Sequence, residues 1–142
     1  MNACAIDETN VGEYLVGLSF LSHRSPLTGT LTACCNVENL PVTPGGDVLG
    51  LQLVYRDQDG AGTAYSVSAR LLAITNSGAV ATLVVVNSNT GPASTSFQTM
   101  NTQFSHDFNS INNAYYVEVT VFRNNPAQAP AAAIVRIVGL IA

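Results

Sequence analysis

Few side chains in this sequence could do chemistry. The histidines are His23 and His106, the cysteines are Cys4, Cys34 and Cys35, and Asp57 and Asp59 stand in the turn sequence Asp57-Gln58-Asp59-Gly60. Asp-x-Asp-Gly is how a calcium loop begins, because a hard cation takes several oxygens and the glycine lets the chain turn sharply. No carboxylate closes a twelve-residue loop here, and Asp-Gly is equally a hairpin turn, so calcium is not expected. A hydrolytic triad needs a nucleophile on an elbow such as Gly-x-Ser-x-Gly, which the chain lacks. His106 and Asp107 are adjacent, so on a strand they point to opposite faces, and His23 has Arg24 and Ser25 beside it. Both histidines read as exposed loop residues. Cys34 has no nucleophile motif around it, and a cysteine in an apolar strand is a small packing residue. The cysteines show no Cys-x-x-Cys spacing and no neighbouring histidines, so zinc is not expected either. At most one of Cys34 and Cys35 can enter a core. That leaves one buried and one edge thiol, or a bridge from Cys4 to one of the two in an oxidising compartment. The expectation is a protein without enzymatic activity and without a cofactor.

Composition narrows the partners. The chain has 142 residues, a length that suits one domain (1–142) with a core burying about 68–70% of the unfolded surface. Charged residues make up only 10%, against roughly 25% in an average globular protein, so the surface must be built from Thr, Ser, Asn, Gln and Gly. The five positive charges, Arg24, Arg56, Arg70, Arg123 and Arg136, are scattered singly in a chain of net charge −4. Nucleic acid and anionic membrane surfaces are therefore not expected partners. Asp7 and Glu8 occupy positions where a secretory leader would be basic and then apolar, so no leader is expected. The longest apolar runs fall short of the roughly 20 residues that cross a bilayer.

What must position these residues is a set of strands. Short runs rich in Val, Ile, Thr and Tyr recur between Gly, Pro, Asn and Asp. Residues 13–20 read as a strand or a short helix, and 30–37 as a strand before the loop 38–47. In 48–56, Leu49, Leu51, Leu53 and Tyr55 share one face. Residues 57–62 read as the turn of a hairpin into 63–74, and 76–78 as a second hairpin turn. The strand 79–87 is apolar on both faces and reads as central or covered. Shorter strands are expected at 95–100 and 104–108, and longer ones at 114–122 and 131–142. In 114–122, Tyr115, Val117, Val119 and Val121 share one face, while Tyr116, Glu118, Thr120 and Phe122 share the other. Eight or nine such strands make an all-β, antiparallel, jelly-roll-like β-sandwich.

The succession LPVTPGGDVLGLQLVYRDQDG, then SARLL, then INNAYYVEVTVF and finally AAIVRIV resembles a β-sandwich domain of uncharacterised bacterial and phage proteins. The resemblance covers roughly residues 40 to 138. It implies a structural or adhesive module and transfers no catalytic residue.

Glu118 and Arg136 interrupt otherwise apolar strands, and charges are rarely buried unpaired. If their strands are neighbours, Glu118 meets Arg136, with Arg70 as a rival partner; otherwise all three lie on a solvated face. Tyr116, Phe122, Val84, Val86 and Ile141 together present more apolar surface than one sandwich core needs, and the absence of Lys suits an interface. The expectation is therefore a homo-oligomer, a trimer or a filament, with residues 1–29 as an arm onto a neighbouring subunit. A virion component answers that description: a capsid decoration, minor capsid or tail and fibre protein contacting other virion proteins. The alternative is an extracellular or cell-surface module, either a subunit of a bacterial filament or a carbohydrate-binding domain. In the last case Tyr14, Tyr55 or Tyr65 would stack on a glycan, although the chain lacks Trp, the best flat platform.

Overall fold

The alternation of branched and aromatic residues with small polar ones fixes which side chains face inward. The computed structural model describes residues 4–7, 12, 14–16, 20–37 and 48–139. Its strands are β1 (Cys4–Ile6), β2 (Tyr14–Val16), β3 (Leu21–His23), β4 (Gly29–Asn36), β5 (Leu49–Arg56), β6 (Tyr65–Thr75), β7 (Val80–Asn87), β8 (Gln98–Phe104), β9 (Asn113–Arg123) and β10 (Ala131–Gly139). They form two five-stranded antiparallel sheets, in the orders β1-β4-β9-β6-β7 and β2-β3-β10-β5-β8. From β3 onward the chain changes sheet at every connection except the β6-β7 hairpin, which is jelly-roll topology. The residues expected as an N-terminal arm supply the three short strands β1, β2 and β3 to the chain's own sheets.

The core is what the period of two dictates. Leu31, Ala33 and Cys35 of β4, Val67, Ala69 and Leu71 of β6, and Val117, Val119 and Val121 of β9 point inward from the first sheet. Leu51, Leu53 and Tyr55 of β5 and Ala132 of β10 meet them from the second. Cys4 is bonded to Cys35 across the β1-β4 pair, and Cys34 is a free, exposed cysteine. Of the two arrangements open in the sequence, the bridged one is present.

Three expectations about neighbours are corrected. Residues 57–64 do not close a hairpin, since β5 and β6 belong to different sheets and the segment crosses between them. The strand 79–87 is not central, because β7 ends its sheet among the described residues. Its two-faced apolar pattern comes from a break in register: Leu71 pairs with Val84 and Leu72 with Thr82, so Leu83 is an inserted residue. Of the two short strands expected at 95–100 and 104–108, one is present, β8 at Gln98–Phe104, and residues 105–108 are not in a strand.

The crossing at 57–64 is organised by Asp57, which is fully buried. Its Oδ1 accepts the backbone N–H groups of Asp59 and Gly60, each at 3.1 Å, and its Oδ2 accepts the Ser88 hydroxyl. The Ser88 hydroxyl in turn accepts the N–H of Val67 at 2.8 Å, and the carbonyl of Asp57 accepts that of Ser94. Gly60 has a φ of +56°, and a Cβ there would lie 2.7 Å from the Ala93 nitrogen, so the turn tolerates only glycine. Burial pushes the Asp57 carboxyl above its usual range, against the bonds from Ser88 and the Asp59 backbone.

Asp57→Ala strands the Ser88 hydroxyl and two backbone donors, and urea unfolding should show a loss of roughly 2–4 kcal/mol. Because the folded carboxyl is raised, its own contribution is complete below the unfolded titration and is lost as pH rises through the elevated folded value. Asp57→Asn should remove that part of the pH dependence of the urea midpoint. Cys35→Ser opens a bridge between residues 31 apart and should cost about 2–4 kcal/mol in the same assay, whereas Cys34→Ser should leave the midpoint nearly unchanged.

Candidate functional site

At one end of the sandwich, the last residues of β3, β5 and β9 and the segments that connect the strands there enclose a cleft. Its volume is about 400 Å³, and it is lined by His23, Ser25, Arg56, Gln58, Thr95, Arg123 and residues 126–129. The alternation explains the two arginines. Arg123 follows Val119 and Val121 on the inward side of β9, so its side chain starts in the core and ends at the rim, where it is 2% exposed. Arg56 follows the inward Tyr55 and lies on the opposite side of β5.

Both guanidinium groups hold backbone carbonyls. Arg123 donates from Nη1 to Leu27 O at 3.2 Å and from Nη2 to Pro126 O at 2.6 Å. Arg56 Nε and Gln58 Nε2 both donate to Ala129 O, at 3.0 and 2.9 Å. His23 Nε2 donates to Gly29 O at 2.8 Å, since a carbonyl can only accept. The loop 124–130, with prolines at 126 and 130, is thus pinned by side chains from β3, β5 and β9.

Two further features belong to this end, a ring pair beside the cleft and two unpartnered atoms of cleft-lining side chains. The Phe97 ring is 41% exposed and its centroid sits 5.0 Å from the Arg56 guanidinium, with the Phe20 ring tilted beside it at 6.1 Å. The Nε of Arg123 and the Oε1 of Gln58 are buried without a hydrogen-bond partner. Among the described residues neither Arg56 nor Arg123 has a carboxylate within ion-pair distance.

The residues singled out from the sequence lie elsewhere. Glu118 does not meet Arg136, because β9 and β10 stand in opposite sheets. Glu118 accepts from Arg70 Nε at 2.8 Å across the β6-β9 pair, and Arg136 donates to Gln52 on the outer face of the second sheet. The Arg70 pair is solvated and contributes at most about 1 kcal/mol. Val84 and Val86 point into the core, so they are not interface residues; Val80 and Val85 are the exposed valines of β7. Tyr116 and Phe122 are half-buried on the outer face of β9, while Ile141 and the loop 38–47 lie outside the described residues.

The other candidates separate in space. His23 is buried in β3 rather than exposed in a loop. His106, half-buried, makes a 3.1 Å hydrogen bond with the Tyr115 hydroxyl and packs edge-on against Phe108 and Tyr115. Burial, Glu118 and Asp7 push the Cys34 thiol up, away from the thiolate that a nucleophile requires. Asp57 and Asp59 serve as acceptors within the crossing, and no group of three or more His, Cys, Asp or Glu side chains gathers among the described residues. Tyr55 and Tyr65 are core residues and offer no platform to a sugar; the Tyr14 side chain lies outside the description. The cleft residues were missed, although the inward parity of Arg123 was a signal present in the sequence.

No family model and no curated protein matches the chain. Among solved structures, it is similar to a family 16 carbohydrate-binding module at 12% identity, with a TM-score of 0.44, covering 87% of this chain and 78% of that one. It is similar also to TmCBM61 in complex with β-1,4-galactotriose, at 8% identity and a TM-score of 0.42, covering 98% and 83%.

Proposed function

We propose that this protein is a non-catalytic carbohydrate-binding module and that the cleft at the end of the sandwich is its site. The observation that carries this is the Phe97 ring, exposed yet held by Arg56 and Phe20, beside a cleft with unfilled hydrogen-bonding groups. A sugar presents an apolar C–H face and a rim of hydroxyls, so a flat ring next to fixed amide and guanidinium groups matches both. The bridge between Cys4 and Cys35 supports action in an oxidising place such as the cell exterior. Binding to immobilised polysaccharides should be detectable by affinity electrophoresis, and Phe97→Ala should weaken it about tenfold with the fold intact. The absence of binding across a panel of neutral and acidic polysaccharides would sink the proposal.

A second reading rests on β7. This edge strand exposes Val80 at 57% and Val85 at 48% and carries no charged residue, which is how an unguarded edge invites another strand. In this reading copies pair edge to edge, as subunits of a virion part or an extracellular filament, with Tyr116 and Phe122 on the adjoining face. Light scattering after gel filtration should then give a multiple of the chain mass that Val85→Lys reduces to the monomer; a monomer at every concentration refutes it.

A further inference from the structure

The geometry points to a sugar acid as the ligand of the cleft: a saccharide whose carboxylate meets the Arg123 and Arg56 guanidinium groups and whose neighbouring hydroxyl donates to Gln58. This rests on the carbohydrate-binding reading and deepens it.

The first ground is charge. Arg123 is 2% exposed, and what it meets among the described residues is carbonyl oxygens rather than a carboxylate. Carbonyl dipoles hold a guanidinium in place but do not neutralise it, and a buried charge without a counter-ion is costly. Arg56, half-buried on the same cleft, likewise meets a carbonyl oxygen rather than a carboxylate among the described residues. The nearest acid in sequence, Asp57, is no counter-ion, since its oxygens are taken by Ser88, Asp59 and Gly60. In a chain of net charge −4 with five arginines, two that share a cleft and lack acids form a local site for an anion.

The second ground is the pair of unfilled groups. Arg123 Nε–H is a donor, and Gln58 Oε1 is an acceptor whose orientation is fixed because the amide nitrogen of Gln58 is spent on Ala129 O. A fully ionised inorganic anion such as sulfate answers the charge and the donor but offers nothing to the acceptor, and a neutral sugar brings no charge to the guanidinium groups. A molecule carrying a carboxylate and a hydroxyl on one rigid ring answers all three, and its apolar face is what Phe97 can take.

The test uses an array of uronate-containing oligosaccharides beside the same oligosaccharides after reduction of the carboxyl to a primary alcohol. Binding should be confined to the carboxylated set, weaken about tenfold or more on reduction, and fall with added salt. Arg56→Gln should lower affinity for the carboxylated set toward that of the reduced set, Arg56→Lys should restore part of the preference, and Phe97→Ala should weaken both sets alike. Circular dichroism of each variant checks that the sandwich is intact. Equal binding of carboxylated and reduced forms overturns the acidic ligand and leaves a carbohydrate module standing; binding to neither overturns both.

Discussion

A buried carboxylate holds the end of this sandwich together. Asp57 stands where the chain leaves one sheet for the other, and its oxygens take donors from its own turn and from the 3₁₀ turn after β7. Two sheets that share a core by side-chain contact alone can slide, because apolar packing has no direction. Hydrogen bonds to a single fixed group do have direction. Through Ser88, Asp57 reaches the backbone of Val67 in β6, so one side chain fixes the crossing, the sheet it enters and the turn behind it. Gly60 completes the arrangement by letting the crossing approach the backbone of Ala93.

That clamp also sets the cleft. Arg56 precedes Asp57 and Gln58 follows it, so these cleft groups are neighbours in sequence of the most tightly held residue of this end. Their partner Ala129 lies on the proline-containing loop before β10, and Arg123 leads into that same loop from β9. The rigid groups come from strand ends, and the loop is shaped by donating side chains. On the proposed reading, a site built this way holds its unfilled donor and acceptor at fixed positions, which would lower the entropic cost of binding.

The fold was largely legible because alternation along β5, β6 and β9 states which side chains go inside, and that needs only the period of two. Sheet partners were not legible. An Asp-Gly turn between two good strands reads as a hairpin, and nothing local shows that Asp57 will be captured by Ser88, 31 residues away. The expected meeting of Glu118 with Arg136 failed for the same reason: each strand was read correctly, but its sheet was not. In β7 the single inserted residue, Leu83, turned an edge strand into one that looked apolar on both faces. The candidate site was mostly illegible, since its groups come from segments as far apart as Phe20, Arg56 and Arg123. Arg123 alone carried a signal, being a charge at an inward position.

The outer face of β9 looked as if it demanded a partner, and its register answers much of that demand from within the sheet. Tyr116 lies opposite Leu72, which is 2% exposed although it points outward, so part of that apolar face is already covered. Glu118 is answered by Arg70, and Phe122 lies between Thr30 and Ser66. Among the described residues, the edge of β7 and the cleft both keep unmatched groups. The edge offers backbone groups and valines, which any extended strand can satisfy. The cleft offers a charge, a donor and an acceptor, with the Phe97 ring against its Arg56, a combination that few molecules can satisfy at once. Selective recognition requires several groups met together, which is why the proposed ligand is assigned to the cleft and not to the edge.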